Sequence, residues 1–208
     1  MADKIRKPID LPGYKKVLYI VFGIHIFMFM VSFSAAFFGK SSSVLADSID
    51  FIGDAASYAS SMYVITKSRA VRAYLSIAKA ITMLAFSLLV IMYTIFRVND
   101  GTIPSYEIMG VSGALGIISH LICVYYLYRF RKGDSNQMSS WVCTINDLIS
   151  NTLTVIAAYF VMITNSIFPD IISAFLIVGV AIYGAITILK QATKEIKDIG
   201  DTEKFETA

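Results

Sequence analysis

Charged residues are scarce in this sequence. Asp, Glu, Lys and Arg make up only 16% of its 208 residues, whereas 56% are hydrophobic. This composition is too apolar for an ordinary soluble domain and indicates an integral membrane protein. The expected partner of its apolar surface is the lipid bilayer. The formal net charge is only +3, and the basic residues lie in short clusters between apolar runs, so a nucleic-acid partner is not expected.

Four kinds of motif are missing as well. The two cysteines, Cys123 and Cys143, both fall within apolar runs, which argues against a disulfide framework. The sequence has neither a glycine-rich phosphate loop nor a Ser/His/Asp hydrolytic pattern, so we expect no enzyme, no prosthetic group and no ATP-driven pump in this chain. No small-residue cleavage pattern follows the first apolar run, and a cleavable signal peptide is therefore not expected.

The sequence does contain six apolar runs, each close to the ~20 residues that a membrane-spanning helix needs. These predicted spans cover residues 17–39, 42–66, 70–96, 106–128, 139–164 and 170–189. The sequence therefore predicts an all-α integral membrane protein with six transmembrane helices. A transmembrane domain over residues 17–189 would lie between a short N-terminal tail, 1–16, and a short C-terminal tail, 190–208.

The distribution of basic residues predicts the orientation of these spans. The two tails, the second-to-third and fourth-to-fifth connections, and Arg72 at the start of the third span together hold 15 of the 18 Lys and Arg residues. Cytoplasmic segments of membrane proteins carry an excess of Lys and Arg. We therefore expect both termini in the cytoplasm and a multi-pass protein of the cell membrane, meaning the inner or plasma membrane.

The second predicted span carries three acidic residues. Asp47, Asp50 and Asp54 are spaced i, i+3 and i+7, so they share one face of a helix. A carboxylate at bilayer depth costs about 2.5–3.5 kcal/mol on insertion scales, so these side chains need a cation, a proton or a basic partner. We expect Asp50 and Asp54 near the middle of the bilayer, whereas Asp47 lies nearer the outer mouth and could simply be hydrated.

The fifth predicted span carries a matching polar face. Cys143, Asp147 and Asn151 are spaced i, i+4 and i+8 on a helix that would run antiparallel to the second span. Carboxylates from both helices, with a thiolate or an amide oxygen, suit a four-coordinate divalent cation. The alternative is that each carboxylate merely bonds to a neighbouring backbone group or hydroxyl.

Three further polar residues fall within predicted spans. His25 and His120 are mid-span, where a histidine is more often a hydrogen-bonded packing residue than a ligand. They remain secondary candidates because imidazole is a good zinc ligand. Lys79 lies nine or ten residues into the third span, and its long side chain could reach the cytoplasmic interface. A countercharge to an aspartate is the functional alternative for Lys79.

These motifs resemble those of the cation diffusion facilitator family of divalent-metal/proton antiporters. Residues 43–55 read Ser-Val-Leu-Ala-Asp-Ser-Ile-Asp-Phe-Ile-Gly-Asp-Ala, which looks like the second-helix pattern of that family. In the pattern a His or Asp precedes an Asp by four positions, and Asp50 and Asp54 occupy those positions here. Cys143 and Asp147 fall where the fifth-helix pattern commonly has His and Asp, so a cysteine replaces the histidine.

The resemblance implies a metal-efflux transporter that exchanges a divalent cation for protons by alternating access. Its site would consist of Asp50, Asp54, Cys143 and Asp147. Alignment with the family favours Cys143 as the fourth ligand, whereas depth slightly favours Asn151, and both stay open. Thiolate and possible imidazole ligands favour zinc or cadmium, so we predict Zn²⁺ as the transported ion, with Cd²⁺ beside it.

Two other interpretations of the same residues remain. A site made only of carboxylate and amide oxygens would favour a manganese or iron exporter of the same family. The rival class is a non-transporting membrane scaffold or assembly protein, whose carboxylates would pair with Lys79.

The resemblance also implies a homodimer. Most members of the family carry a cytoplasmic C-terminal domain that binds metal and dimerises, and we expect this chain to lack it. Any dimer would then be held by the membrane helices, where Gly110, Gly113 and Gly116 offer close-packing surfaces.

Overall fold

The computed structural model describes residues 11–206, and side chains over residues 13–200. Within that part the chain is all-α, as predicted, and contains no strand. Its helices are α1 Leu11–Gly39, α2 Ser42–Val64, α3 Arg69–Asp100, α4 Tyr106–Leu127, α5 Ser135–Thr164 and α6 Phe168–Glu206. A single 3₁₀ turn, Tyr128–Phe130, follows α4.

Five of the helices, α1, α3, α4, α5 and α6, are long and apolar enough to cross a membrane. They support a multi-pass membrane protein. The remaining helix, α2, carries Asp47, Asp50 and Asp54 within its 23 residues, and these carboxylates make it less apolar than the others. Its length of about 34 Å would still reach across a bilayer core. The sixth span therefore stays a prediction.

Helix α1 begins earlier than the sequence indicated. It starts at Leu11, within the predicted tail of residues 1–16, and Pro12 lies in its first turn. Proline is tolerated in the first turn, where its missing N–H would have had no partner in any case. Tyr14 is buried and its hydroxyl forms a 3.1 Å hydrogen bond with Ser140 Oγ, which anchors this turn on α5. The first ten residues of the tail lie outside the described part.

Helix α6 continues through most of the predicted C-terminal tail, 190–208, and ends at Glu206. Glu195, in this extension, is only 3% exposed. Its carboxylate accepts hydrogen bonds from the backbone N–H of Ser135, at 2.7 Å, and from Arg69 Nε. A carboxylate at a helix N-terminus pairs with free N–H groups and with the positive end of the helix dipole. Glu195 thus fixes the start of α5.

Asp170 holds the start of α2 in the same way. Its carboxylate accepts hydrogen bonds from the backbone N–H groups of Ser42, at 2.8 Å, and Ser43, at 3.0 Å. The hydroxyls of Ser41 and Ser43 also donate to it. Because Asp170 and Glu195 both belong to α6, this long helix positions the N-termini of the two acidic helices from opposite ends of the bundle.

Helices α2 and α5 lie at the centre of the bundle. Helix α2 contacts all five other helices, and α5 contacts α2, α3, α4 and α6. Two glycines expected at a dimer contact are used within the chain instead. A Cβ atom at Gly113 would lie 2.7 Å from Val155 Cγ2, and one at Gly116 would lie 1.7 Å from Asn151 Oδ1. These glycines let α4 approach α5 closely.

Candidate functional site

A cavity of about 130 Å³ lies between α2, α3 and α5. Its wall includes Asp50 and Asp54 from α2 and Cys143 and Asp147 from α5. The structure therefore brings together the four residues that the sequence singled out as metal ligands. The helical repeat explains this convergence, because Asp50 and Asp54 share one face of α2 while Cys143 and Asp147 share one face of α5.

Asp54 is held by a tyrosine that sequence reasoning missed. The hydroxyl of Tyr58 donates a 2.9 Å hydrogen bond to Asp54 Oδ2, and it also contacts Thr144 Oγ1 of α5 at 2.8 Å. Tyr58 is fully buried, and it follows Asp54 by one helical turn. This i, i+4 spacing was the feature of the sequence from which a contact between Tyr58 and Asp54 could have been predicted. Tyr58 thus links the acidic face of α2 to α5.

Asp147 comes from α5 and lines the same cavity as Asp54 of α2. Only 4% of Asp147 is exposed, and its Oδ2 atom has no hydrogen-bond partner within the described residues. Cys143, one turn earlier, is equally buried. Two buried carboxyl groups at one cavity repel each other when both are ionised, so a proton or a cation would stabilise the pair.

Asp50 occupies a more open part of the same wall and is half-buried. The neighbouring Gly53 allows α3 to come close here, because a Cβ atom at that position would lie 3.0 Å from the ring of Phe86. Phe86 also lines the cavity. The site is thus bounded by α3, whose Lys79 and Thr82 also line the cavity, and by two helices with carboxylates.

Asp47 lies apart from this cavity. It is 1% exposed and accepts a 2.8 Å hydrogen bond from Thr154 Oγ1 of α5. The hydrated position at the outer mouth that the sequence suggested is therefore not what the structure shows. The other carboxylate oxygen, Oδ1, has no hydrogen-bond partner in the described part of the chain.

Asn151 does not line the cavity either, whereas Cys143 does. The Asn151 amide donates a 2.9 Å hydrogen bond to the backbone oxygen of Asp147 and lies 3.4 Å from His120 Nδ1. Its Oδ1 atom occupies the space that a side chain at Gly116 would fill. Of the two alternatives for the fourth ligand, only Cys143 faces the cavity.

Lys79 points into the bundle and is 8% exposed, so it does not reach the interface as the sequence suggested. Its ammonium donates to Ser61 Oγ and Asn136 Oδ1, both at 2.7 Å, and to Ser139 Oγ at 3.3 Å. These three neutral acceptors match the three N–H donors of a lysine. Among the side chains described, no carboxylate lies within ion-pair distance of Lys79.

The two histidines lie beside the acidic pair rather than at unrelated packing positions. His25 Nε2 is 3.8 Å from Asp54 Oδ2, and His120 Nε2 is 3.4 Å from Asp147 Oδ2. Neither histidine lines the cavity, so both approach the carboxylates from behind its wall. They come from α1 and α4, the helices that carry no acidic motif, and the sequence offered no means of placing them together.

Comparisons with protein-family models and with curated proteins found no significant match for this chain.

Proposed function

We propose that this protein exports a divalent metal cation, Zn²⁺ first and Cd²⁺ beside it, in exchange for protons. The observation that carries the proposal is the pair Asp54 and Asp147, which come from two helices and line one cavity inside an apolar bundle. Buried carboxylates inside membrane helices commonly mark ion or proton pathways. The transported cation would be held by Asp50, Asp54, Cys143 and Asp147.

The donor set of this cavity suits zinc and cadmium. Carboxylate oxygens bind Zn²⁺ at about 2.0–2.2 Å and cysteine sulfur at about 2.3 Å, normally in tetrahedral geometry. A soft thiolate such as that of Cys143 favours these ions over Mn²⁺, which prefers oxygen ligands. The thiol must lose its proton on binding, and a bound cation favours that loss.

Proton coupling would follow from competition at the acidic pair. Asp54 and Asp147 both line the cavity, and neighbouring buried carboxylates repel each other unless a proton or a cation lies between them. A metal ion that binds there displaces protons, and protons that return from the other side release the metal. The same oxygens would thus serve both ions in turn, which is the requirement for exchange.

The position of the cavity fits an inward-facing state under the proposed topology. With both termini in the cytoplasm and α2 as the sixth span, α2 runs from the outer side to the cytoplasmic side. The cavity extends along α2 from Asp50 to Ser60 and along α3 from Phe86 to Leu75. Both directions lead from the carboxylates towards the cytoplasmic connection between these helices. A cation could therefore enter from the cytoplasmic side of the membrane, which we propose to be the cell membrane, meaning the inner or plasma membrane.

The hydrogen bonds of Lys79 favour the transporter over the scaffold. The scaffold interpretation requires an ion pair between Lys79 and the carboxylates. Lys79 instead binds neutral oxygens of Ser61, Asn136 and Ser139. This leaves the charge of Asp54 and Asp147 to be balanced by a proton or a metal ion.

The test is metal flux into proteoliposomes that contain the purified full-length chain. Zn²⁺, Cd²⁺, Mn²⁺ and Fe²⁺ are each offered with and without an imposed pH gradient, and a pH-sensitive dye records protons inside the vesicles. We expect Zn²⁺ and Cd²⁺ uptake that accelerates when the vesicle lumen is acidic and that is accompanied by proton efflux. Uptake of Mn²⁺ or Fe²⁺ alone would favour the other exporter, and no uptake of any ion would favour the scaffold.

A further inference from the structure

His25, His120 and Asp147 form a compact cluster behind the wall of the cavity. Each residue offers one ligand atom within 4.8 Å of the others, and all three are buried. They come from α1, α4 and α5. Tetrahedral ligands around Zn²⁺ stand about 3.3 Å apart, given metal–ligand bonds of about 2.0–2.1 Å. The separation of 3.4 Å between His120 Nε2 and Asp147 Oδ2 already matches that spacing.

The tautomer of each histidine follows from its backbone contact. His25 Nδ1 lies 2.7 Å from the oxygen of Val21, and His120 Nδ1 lies 2.9 Å from the oxygen of Gly116. A carbonyl oxygen can only accept, so Nδ1 carries the hydrogen in both rings. The Nε2 atom of each neutral ring then holds a free lone pair. Metal-binding histidines are commonly fixed in this way, with the other ring nitrogen donating to a backbone oxygen.

Both Nε2 atoms are buried and have no hydrogen-bond partner within the described residues. They face carboxylates at 3.4 and 3.8 Å, beyond the usual 2.7–3.2 Å of an N–H···O hydrogen bond. A lone pair that faces a carboxylate oxygen is unfavourable unless a positive charge lies between them. Burying polar atoms in this arrangement therefore calls for protons or a metal ion.

Protons are the less suitable answer for the pair of rings. The centroids of His25 and His120 are 5.3 Å apart, so two imidazolium rings would place two positive charges side by side in a buried site. One divalent cation can accept both Nε2 lone pairs and a carboxylate oxygen at once. It also neutralises the carboxylates that crowd this position.

The surrounding side chains hold the rings in place. Phe51 stacks on His120, with ring centroids 4.8 Å apart and an interplanar angle of 16°, and it meets the edge of His25 at 5.6 Å. Tyr58 packs against the other side of His25 at 4.9 Å. The amide of Asn151 contacts His120 and holds the backbone of Asp147. The cluster is thus ordered before any ion arrives.

We infer that His25, His120 and Asp147 form a second, histidine-rich metal position behind the cavity, and that it selects Zn²⁺ over Mn²⁺ and Mg²⁺. The inference rests on the proposed function, since Asp147 would serve both positions. Two imidazole nitrogens favour zinc and the later transition metals, whereas the hard ions prefer oxygen. An ion that enters the cavity would first meet the carboxylates that line it and would then reach the histidine nitrogens behind its wall.

The experiment is zinc X-ray absorption spectroscopy on the purified full-length chain in nanodiscs, loaded with one and with two equivalents of Zn²⁺. We expect multiple scattering from two imidazole rings. In the double variant His25→Gln/His120→Gln the imidazole scattering disappears, and Zn²⁺ affinity measured by calorimetry falls at least about tenfold, while Mn²⁺ affinity changes less than twofold. The matched variant Cys143→Ser alters the cavity position and keeps the imidazole signal.

The outcomes separate the inference from the proposed function. Zinc bound by oxygen and sulfur alone in the unaltered protein would overturn the histidine position and leave the exporter intact. Zinc affinity unchanged in the folded double variant would overturn it as well. If the unaltered protein binds no transition metal, both proposals fail together. The spectrum of the unaltered protein decides even if the double variant does not fold.

Discussion

The ammonium nitrogen of Lys79 lies 2.7 Å from Asn136 Oδ1, a contact that joins α3 to α5 through a neutral amide rather than a carboxylate. Ser61 of α2 shares the same ammonium. Three helices thus meet at a single charged group that lines the cavity, on the side that would face the cytoplasm in the proposed topology. The N–H donors of Lys79 are satisfied without the acidic pair, which leaves the carboxylates of that pair available for a cation.

This arrangement predicts which residue Lys79 is energetically coupled to. In double-mutant cycles on unfolding, we expect the coupling of Lys79→Met with Asn136→Ala to exceed that of Lys79→Met with Asp54→Asn. Residues in direct contact commonly show couplings of about 0.5–3 kcal/mol. Thermal or denaturant unfolding in detergent gives the values. A larger coupling with Asp54 would restore the structural ion pair on which the scaffold interpretation depends.

Cys143 is expected to distinguish soft ions from hard ones. Cys143→Ser should weaken Zn²⁺ and Cd²⁺ transport by about tenfold or more and Mn²⁺ transport far less, because the lost ligand is a thiolate. In a Cys123→Ser background, where Cys143 is the remaining cysteine, bound Zn²⁺ should protect the thiol from alkylation in membranes. Unchanged zinc affinity in Cys143→Ser, together with its loss in Asn151→Ala, would move the site further along α5.

Close packing of α4 on α5 gives a prediction about stability. A Cβ atom at Gly113 would lie 2.7 Å from Val155 Cγ2 and 3.2 Å from the backbone oxygen of Asn151. Gly113→Ala should therefore lower the free energy of unfolding by about 1–3 kcal/mol. Gly23→Ala is the matched control, since a Cβ atom there meets nothing within 4 Å and alanine favours the helix. Equal loss in both variants would contradict the packing described for Gly113.

Some of this site could be predicted from the sequence, for a physical reason. Residues on one helix have a fixed angular relation, so the spacing of Asp50 and Asp54, and that of Cys143 and Asp147, already defines two faces. The antiparallel direction of α2 and α5 follows from the number of spans between them. The prediction that these faces meet needed no knowledge of the rest of the fold.

The contribution of α1 and α4 could not be predicted in the same way. A single histidine in an apolar helix gives the same sequence pattern whether it packs against other side chains or binds a metal ion. The local sequence does not show how the helix is rotated in the bundle or which helices lie next to it. The same limit applies to Asp170 and Glu195 of α6, whose carboxylates accept hydrogen bonds from the first residues of α2 and α5. Lys79 was expected at the interface because a long lysine side chain can usually reach water from within a span. The buried oxygens that it contacts instead belong to other helices, and the sequence around Lys79 does not reveal them.

The proposed homodimer must use a surface other than the buried face of α4. Gly113 and Gly116 pack on α5 within one chain, so membrane-exposed helix faces would carry the contact. We expect a dimer in mild detergent that dissociates on dilution, because no further domain in the described residues would hold it. Light scattering in detergent and single-molecule photobleaching in lipid measure the oligomeric state. A monomer at every concentration, in detergent and in lipid, would refute the dimer.

The central claim is that Asp54 and Asp147 together bind the transported ion. Proteoliposomes with matched amounts of folded protein should carry the unaltered chain, Asp54→Asn, Asp147→Asn or the control Glu107→Gln. Glu107 is exposed at the start of α4 and accepts a hydrogen bond from Ser105. Each variant removes one charge with almost no change of shape.

The decisive measurement is the initial rate of Zn²⁺ uptake driven by an imposed pH gradient in these four preparations. We expect Asp54→Asn and Asp147→Asn each to lower the rate by at least about 100-fold, since loss of a ligand should exceed the 10–100-fold effect of an outer partner. Glu107→Gln should transport at the rate of the unaltered chain. Uptake at that rate by either aspartate variant would contradict the assignment of the acidic pair as the transport site.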